Sequence, residues 1–241
     1  MSIFDQKVIK YEMKPLSSLE KVFPDETPVY RMECQMLSGL WGETVSFQVA
    51  YTGDFVMRER LDVRVVSELA EHVHVRTVEM VPVGRATNGI VDDNYLKTTS
   101  GLYPDLLKDL KDGKVIVYSR QWRSLWVDVD ITNEIPAGEY EIELQLVKEG
   151  EVVCSTKQKV TVVGTELPKL DIMHTEWMHA DCLADYYHVE VFSEEHWKLL
   201  ENYFQEYVKR DCNMMLTPLF TSPLDTAIGL ERTTCQLVDV E

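Results

Sequence analysis

The sequence of 241 residues is poor in basic residues and has no long apolar run. Lysine and arginine together number 24 against 41 aspartates and glutamates, which gives a formal net charge of −17. Because an acidic surface repels polyanions, nucleic acid and anionic membranes are excluded as main partners. The apolar runs are also far shorter than the roughly 18 residues that a membrane-spanning helix needs, so we expect no membrane association.

Cysteine is scarce, and the usual cofactor motifs are missing. Five cysteines lie far apart with no CxxC spacing, which is unlike a zinc site or a disulfide framework. No nucleophile elbow, P-loop or dinucleotide-binding motif occurs, so we expect neither a cofactor nor a metal. The first residues do not resemble a secretory signal, and reduced thiols then predict a cytoplasmic protein.

The region from residue 27 to about residue 163 has the pattern of an antiparallel sheet. Apolar and polar side chains alternate, as they do in strands that have one face in water. The clearest runs are residues 44–51, 61–65, 73–76, 125–132, 140–146 and 160–163. About six to eight such strands favour an antiparallel β-sandwich. Residues 84–113 interrupt the pattern with turn-forming residues, and we expect a long ordered loop there.

The pattern changes after residue 164. Ser193 followed by two glutamates is an N-cap signal, and an apolar stripe predicts a helix over 193–210. Predicted strands at 170–177 and 213–219 flank this helix, which gives a strand–helix–strand unit. Such a unit leaves apolar surface uncovered, and barrels or doubly wound sheets need several more repeats, so we interpret it as part of a larger α/β domain.

The predicted fold class is therefore mostly β with an α/β tail. We expect an N-terminal extension over 1–26, a β-sandwich over 27–164 and an incomplete α/β unit over 165–241. The chain would then be the N-terminal part of a longer enzyme-like protein. The uncovered apolar surface of the α/β unit predicts a homo-oligomer formed through that surface.

Several segments resemble proteins of the glycoside hydrolase family 123 type. Residues 42–51, 101–105 and 135–140 are similar to the family's N-terminal sandwich. The stronger likeness is to the opening of its catalytic (β/α)8 barrel, in residues 176–187, 213–218 and 223–226. The resemblance therefore implies that residues 165–241 are the truncated start, strand–helix–strand, of such a (β/α)8 barrel. The resemblance extends over most of the chain from about residue 27.

This resemblance implies an exo-acting β-N-acetylgalactosaminidase-like enzyme that cleaves N-acetylhexosaminides by substrate assistance. The acetamido oxygen of the sugar attacks the anomeric carbon, an Asp orients the acetamido group, and the neighbouring Glu protonates the leaving oxygen. The family's Asp-Glu pair lies on a later barrel strand. The one Asp-Glu step of this sequence, Asp25-Glu26, precedes the sandwich and does not match it. We therefore assign no catalytic residue and expect the chain alone to be inactive.

Five residues are candidates for binding a carbohydrate substrate. Trp177, His179 and Asp181 are spaced two apart, so they would share one side of the first barrel strand if that strand continued through them. Barrel enzymes place their sites at this end of a strand, where a tryptophan can stack on a sugar while His and Asp bind hydroxyls. Asp185 and Tyr187 would extend the site. The alternative is a core tryptophan with a His–Asp pair that fixes the loop.

Two other patterns have a structural explanation as well as a functional one. His72 and His74 would place two imidazoles on one strand face, but a solvated polar face explains them better than a metal site. Trp122 and Trp126 could form a carbohydrate platform, although packing is the more common role of such aromatics. The rival hypothesis for the whole chain is a non-catalytic carbohydrate-binding or scaffolding module.

Overall fold

The computed structural model describes residues 10–28, 36–54, 58–85, 95–169 and 171–216. The chain divides into two compact units, Met1–Pro168 and Lys169–Glu241. In the described residues the first unit is a β-sandwich, and the second is a small unit of helices and parallel strands. None of the described helices is long and apolar enough to cross a membrane.

The strands of the first unit form two sheets of five strands within the described residues. Their orders are β1-β3-β8-β5-β6 and β2-β10-β9-β4-β7. The strands are β1 Lys10–Ser17, β2 Met36–Trp41, β3 Thr44–Asp54, β4 Glu59–Val66, β5 Val73–Val83, β6 Gly101–Asp109, β7 Lys114–Val117, β8 Arg123–Asp130, β9 Gly138–Lys148 and β10 Glu151–Glu166.

The six strands predicted from alternation are confirmed as β3, β4, β5, β8, β9 and β10. Their inward-facing residues interdigitate in one core between the sheets. Phe47, Leu125 and Leu144 have no exposed surface, and each is typical of the apolar face of its strand. Burying one such side chain contributes about 1.5–3 kcal/mol, so the alternation of the sequence fixes which face of each strand points inward.

One pair of strands departs from the antiparallel arrangement. β2 runs parallel to β10, with Met36 opposite Lys159 and Val162 opposite Gly39. After β2 the chain turns at Gly42, whose φ of 97° favours glycine, and enters the other sheet as β3. Alternation identifies a strand and its buried face but not its partner, so the sequence does not reveal the parallel pair.

The predicted N-terminal extension is wrong for residues 10–17, which form β1. This strand pairs with β3 from Lys10 opposite Asp54 to Ser17 opposite Phe47. Met13 contacts the core between the sheets, whereas Leu16 is buried in a separate cluster with Trp122. Because Met13 and Leu16 are three residues apart and are buried in different clusters, the sequence lacks the regular alternation of the other strands.

The long loop predicted over 84–113 is also wrong in its second half. Gly101–Asp109 is the edge strand β6, and Lys114–Val117 forms β7 in the other sheet. Pro104 sits within β6, a position that edge strands tolerate because one side of their backbone needs no partner. Leu102 and Leu106 are exposed, so the strand has no clear apolar face. The first part of the predicted loop lies partly outside the described residues.

The second unit contains β11 Thr175–Trp177, α1 Ala180–Tyr187, α2 Glu194–Lys209 and β12 Met214–Leu216. The helix predicted over 193–210 is confirmed as α2, and Ser193 Oγ accepts a hydrogen bond from the backbone N–H of His196 at 3.3 Å. β11 and β12 are parallel, as a strand–helix–strand unit requires. Residues 217–219 of the predicted second strand lie outside the described residues. The short helix α1 was not predicted.

The close approach of β2 to the core at Gly39 generates a stability prediction. A Cβ atom at this position would lie 2.5 Å from Cγ2 of Val45 and 3.1 Å from Cγ1 of Ile131. Gly39→Ala should therefore lower the free energy of unfolding by about 1–3 kcal/mol, because the core must shift to admit the methyl group. Urea unfolding followed by circular dichroism measures this change.

Gly84→Ala is the matched control, since nothing lies within 4 Å of a Cβ atom there. That variant should be as stable as the parent or slightly more stable, because alanine reduces the entropy of the unfolded chain. Equal stabilities of the two variants would contradict the tight packing at Gly39.

Candidate carbohydrate-binding site

The strand that carries Trp177 ends at that residue. The Met178 N–H donates to the Leu216 carbonyl at 2.8 Å, and the chain then turns into α1. His179 is the N-cap residue of α1, and Asp181 lies in its first turn. The premise that Trp177, His179 and Asp181 share one side of a continuous strand is therefore wrong, because the helix starts two residues earlier than the spacing argument allows.

Trp177 lies on the open face of the β11–β12 pair. Thr175 is opposite Met214 and Trp177 is opposite Leu216, and all four side chains are exposed. Trp177 itself is 66% exposed. Met215 points to the other face and packs against the small core of this unit, whose buried residues are Met178, Ala180, Leu183 and Leu200. Trp177 is thus not a core residue among the described residues, and its indole ring is accessible to a ligand.

Asp181 is removed from the surface on which Trp177 lies. It is only 3% exposed, in the first turn of α1, where the helix dipole favours a carboxylate. His179 is half-buried, and its Nδ1 atom is buried without a hydrogen-bond partner among the described residues. His179 therefore lies beside the end of β11, whereas Asp181 is buried within the second unit.

Asp185 and Tyr187 lie toward the other end of α1, where both are exposed. At 1.5 Å per residue, Tyr187 is roughly 12 Å along the helix axis from His179. The Tyr187 hydroxyl is 3.3 Å from that of Tyr203 on α2, and this hydrogen bond raises the pKa of Tyr203. The structure thus associates Tyr187 with α2 and does not bring it to the end of β11.

A buried histidine that the sequence did not single out holds the start of α1 in place. His196 has no exposed surface, its Nε2 lies 2.8 Å from the Ala180 carbonyl, and its Nδ1 accepts from the Phe192 N–H at 3.0 Å. Because the carbonyl can only accept, Nε2 is the ring nitrogen that carries the donated proton. His196 therefore ties the first residue of α1 to the first turn of α2.

A sequence signal for this role exists in retrospect. His196 follows the N-cap Ser193 by three residues, the position from which a glutamate reaches back to a backbone N–H in a capping box. Here the imidazole reaches Phe192, whose φ of 61° turns its N–H toward the helix. A capping box is recognised by glutamate or glutamine at this position, so the sequence does not single out a histidine there.

The other candidate sites of the sequence do not gain support. No group of three or more His, Cys, Asp or Glu side chains in the described ranges could hold a metal ion. His72 belongs to a turn of 3-10 helix that precedes β5, so it does not share a strand face with His74, which lies 3.4 Å from Asp109. Trp122 is buried against Leu16, which is a packing role.

The sequence profile of a protein family, described as "Glycoside hydrolase 123, catalytic domain", matches residues 177–241. Among solved structures, a family 123 glycoside hydrolase from Clostridium perfringens is similar, with 15% sequence identity and a TM-score of 0.60. The match covers 83% of this chain and 36% of that enzyme. The fold of the chain is therefore similar to a part of that hydrolase, well under two thirds of its length.

Two weaker structural matches carry no inference. A β-glucosidase from Listeria innocua is 10% identical with a TM-score of 0.30, over 66% of this chain and 17% of that enzyme. The N-terminal domain of PorA is 10% identical with a TM-score of 0.30, over 64% of this chain and 99% of that domain. No curated protein sequence matches the chain.

The contacts of His196 predict that it stabilises the second unit. His196→Phe keeps an aromatic ring but removes the hydrogen bonds that the imidazole makes with the Ala180 carbonyl and the Phe192 N–H. Losing one buried and one partly buried hydrogen bond should lower the free energy of unfolding of this unit by roughly 1–3 kcal/mol. Amide hydrogen exchange should show faster opening of α1 and α2, with the sandwich unchanged.

His188→Asn is the control, because His188 is exposed and its φ of 55° is one that asparagine adopts. Its exchange rates should match those of the parent. Protection of α1 and α2 that is equal in His196→Phe and in the parent would show that the two hydrogen bonds contribute nothing to the unit.

Proposed function

We propose that this chain is part of a glycoside hydrolase-like protein, with Trp177 forming part of the surface that binds an N-acetylated hexosaminide. The observation that carries the proposal is the exposed indole of Trp177 at the carboxyl end of β11. It coincides with the first residue of the match to the catalytic domain of glycoside hydrolase family 123.

The position of Trp177 suits sugar binding for a physical reason. The carbon-bound hydrogens of a pyranose ring form an apolar face that can pack on an indole ring, while polar groups at its edge bind the hydroxyls. In barrel enzymes the carboxyl ends of the parallel strands surround the site. We propose that β11, α2 and β12 begin such a barrel, which places Trp177 at its mouth with His179 beside it.

The similar hydrolase from Clostridium perfringens is described as acting in glycolipid glycan hydrolysis, which supports a glycosidase function. The finer assignment, an exo-acting β-N-acetylgalactosaminidase-like activity with substrate assistance, rests on the resemblance of residues 176–187 to that family. In this mechanism the acetamido group of the substrate supplies the nucleophile. The protein would supply an orienting Asp and an acidic Glu, and we assign neither to a residue of this chain.

A binding experiment with N-acetylgalactosamine tests the role of Trp177. We expect weak binding, detected by saturation-transfer NMR, and a loss of about two- to tenfold in affinity in Trp177→Ala, since one aromatic contact contributes about 0.5–1.5 kcal/mol. Trp197→Ala is the matched control, because Trp197 is also exposed, at 46%, but lies on α2 and stacks on Phe192.

The outcome depends on the difference between the two tryptophans. Unchanged binding in Trp197→Ala together with reduced binding in Trp177→Ala supports the site at the end of β11. Equal losses in both variants, or no change in either, would exclude Trp177 as a specific sugar contact.

A second experiment concerns catalysis. The 241-residue chain should release no aglycone above the buffer rate from an aryl β-N-acetylgalactosaminide. The reaction needs an acid placed within about 3 Å of the leaving oxygen and an oriented nucleophile, and no residue of the chain matches the family's Asp-Glu pair. Turnover that disappears in His179→Ala or Asp181→Ala would show that the catalytic centre lies at the start of α1 instead.

A further inference from the structure

A cleft of about 740 Å³ opens in the sandwich unit, on the side where β6 and β7 are the edge strands of the two sheets. One wall is formed by β4 and β7, and the other by β5 and β6. The side chain of Tyr51, on β3, extends from the core and forms part of the lining of the cleft. Clefts of about 300–1,000 Å³ are the size that holds small ligands.

The cleft exists because the inner face of β5 changes from apolar to polar along the strand. Val73 and Val75 pack against the core, and alternation then places Thr77 and Glu79 on the same face. Lys108 of β6 is the register partner of Thr77. Polar side chains cannot close against the opposite sheet as the valines do, so the sheets enclose polar space there.

The charge of the cleft is opposite to that of the whole chain. Its lining contains three carboxylates, Glu59, Glu79 and Asp109, and six cationic side chains, Arg58, Arg60, Lys108, Lys111, Lys114 and Arg123. Six positive against three negative charges leave an excess of three positive charges, in a chain whose formal net charge is −17. A cleft whose walls carry an excess of one sign of charge concentrates the field, so anions are attracted locally even to an acidic protein.

Only two of the six cationic side chains of the lining form ion pairs with described residues. Arg60 pairs with Asp112 at 2.9 Å, and Lys114 pairs with Asp62 at 2.8 Å. The remaining four cations of the lining make no ion pair with any described residue, and they are Arg58, Lys108, Lys111 and Arg123.

The carboxylate of Glu59 is already neutralised by groups outside the lining. Both of its oxygens accept from Lys148 Nζ at 3.0 Å, and Tyr11 donates a further hydrogen bond. Desolvation alone would raise the Glu59 pKa, but these hydrogen bonds outweigh it and hold the pKa below its usual value. Glu59 therefore subtracts little from the positive potential of the cleft.

Arg123 adds a donor at the inner end of the cleft. The Arg123 guanidinium lies 5.0 Å from the centre of the Tyr118 ring and donates to Gln121 at 3.1 Å, which fixes its position. Its Nε–H is buried without an acceptor among the described residues, a donor that a ligand oxygen would satisfy. The Tyr51 hydroxyl donates to the Ile116 carbonyl at 3.4 Å, so it can act toward a ligand only as an acceptor.

We infer that this cleft binds an organic polyanion of about disaccharide size, whose carboxylate or sulfate groups pair with Lys108, Lys111 and Arg123. The volume excludes a long polymer from entering, and the net charge of −17 repels one at the surface. The cleft belongs to the first unit and shares no residue with the site proposed at Trp177, so the inference does not depend on the proposed glycosidase function.

The test uses the full chain with maltose disulfated at its two primary hydroxyls, and calorimetry as the readout. This probe has no acetamido group, so failure of the proposed N-acetylhexosaminide site does not affect the result. We expect measurable binding that weakens at least about tenfold when NaCl is raised from about 0.05 to 0.5 M, because salt screens exposed charges. Neutral maltose and inorganic sulfate should each bind at least about tenfold more weakly, a difference of about 1.4 kcal/mol.

Substitutions locate the binding in the cleft. Lys108→Gln with Lys111→Gln should weaken binding at least about tenfold, and Lys108→Arg with Lys111→Arg should retain it within about threefold. Lys21→Gln with Lys159→Gln is the control of equal charge change, since both lysines are exposed and lie outside the lining. Its affinity should be within about twofold of the parent.

Three results would overturn the inference. Maltose that binds as tightly as its disulfate would remove the role of charge, and sulfate ion that binds as tightly would remove the role of size. A control variant as impaired as Lys108→Gln with Lys111→Gln would show that only the net charge of the protein matters.

Discussion

The structure depends on one constraint, which is that each strand of the sandwich has an apolar face that must be buried against the opposite sheet. Phe47 on β3 and Val127 on β8 are register partners and both are fully buried. A slip of one residue would turn such side chains to water, at about 1.5–3 kcal/mol for each of them. The alternation of apolar and polar residues thus sets the register of the strands as well as the fold. Where an inward-facing position holds a polar residue, the space between the sheets is not filled by apolar side chains.

The cleft in the sandwich is such a place. On β5, two valines satisfy the constraint and the following Thr77 and Glu79 do not, and a cleft lies between the sheets at this end of the strand. The cations that line the space then meet few carboxylates, because Glu59 is held by Lys148. The local lack of apolar burial therefore leaves a cleft, and we infer a ligand from the volume of this cleft and the charge of its lining.

The sequence predicts those elements in which burial and periodicity agree. β3 and β8 alternate cleanly and were found, as was α2, where Ser193 caps an apolar stripe. The apolar stripe that predicts α2 consists of Trp197, Leu200, Phe204, Tyr207 and Val208. It is buried only in part, since Leu200 is buried while Val208 is exposed. β6 was missed because it is an edge strand with Pro104 and little buried surface. The parallel position of β2 depends on contacts with β10 that are distant in sequence, and no local pattern encodes them.

The candidate site shows the same limit on a smaller scale. Residue spacing can place Trp177 on a strand, but it cannot show that the strand ends there and that Asp181 enters a buried helical turn. Burial then separates the two roles, because Met215 faces the helices and is partly buried, whereas Trp177 faces the other way and is exposed. If further parallel strands join this pair, the middle of the open face becomes enclosed. Trp177 is the last residue of its strand, so it would remain at the rim, where a sugar can still reach its ring.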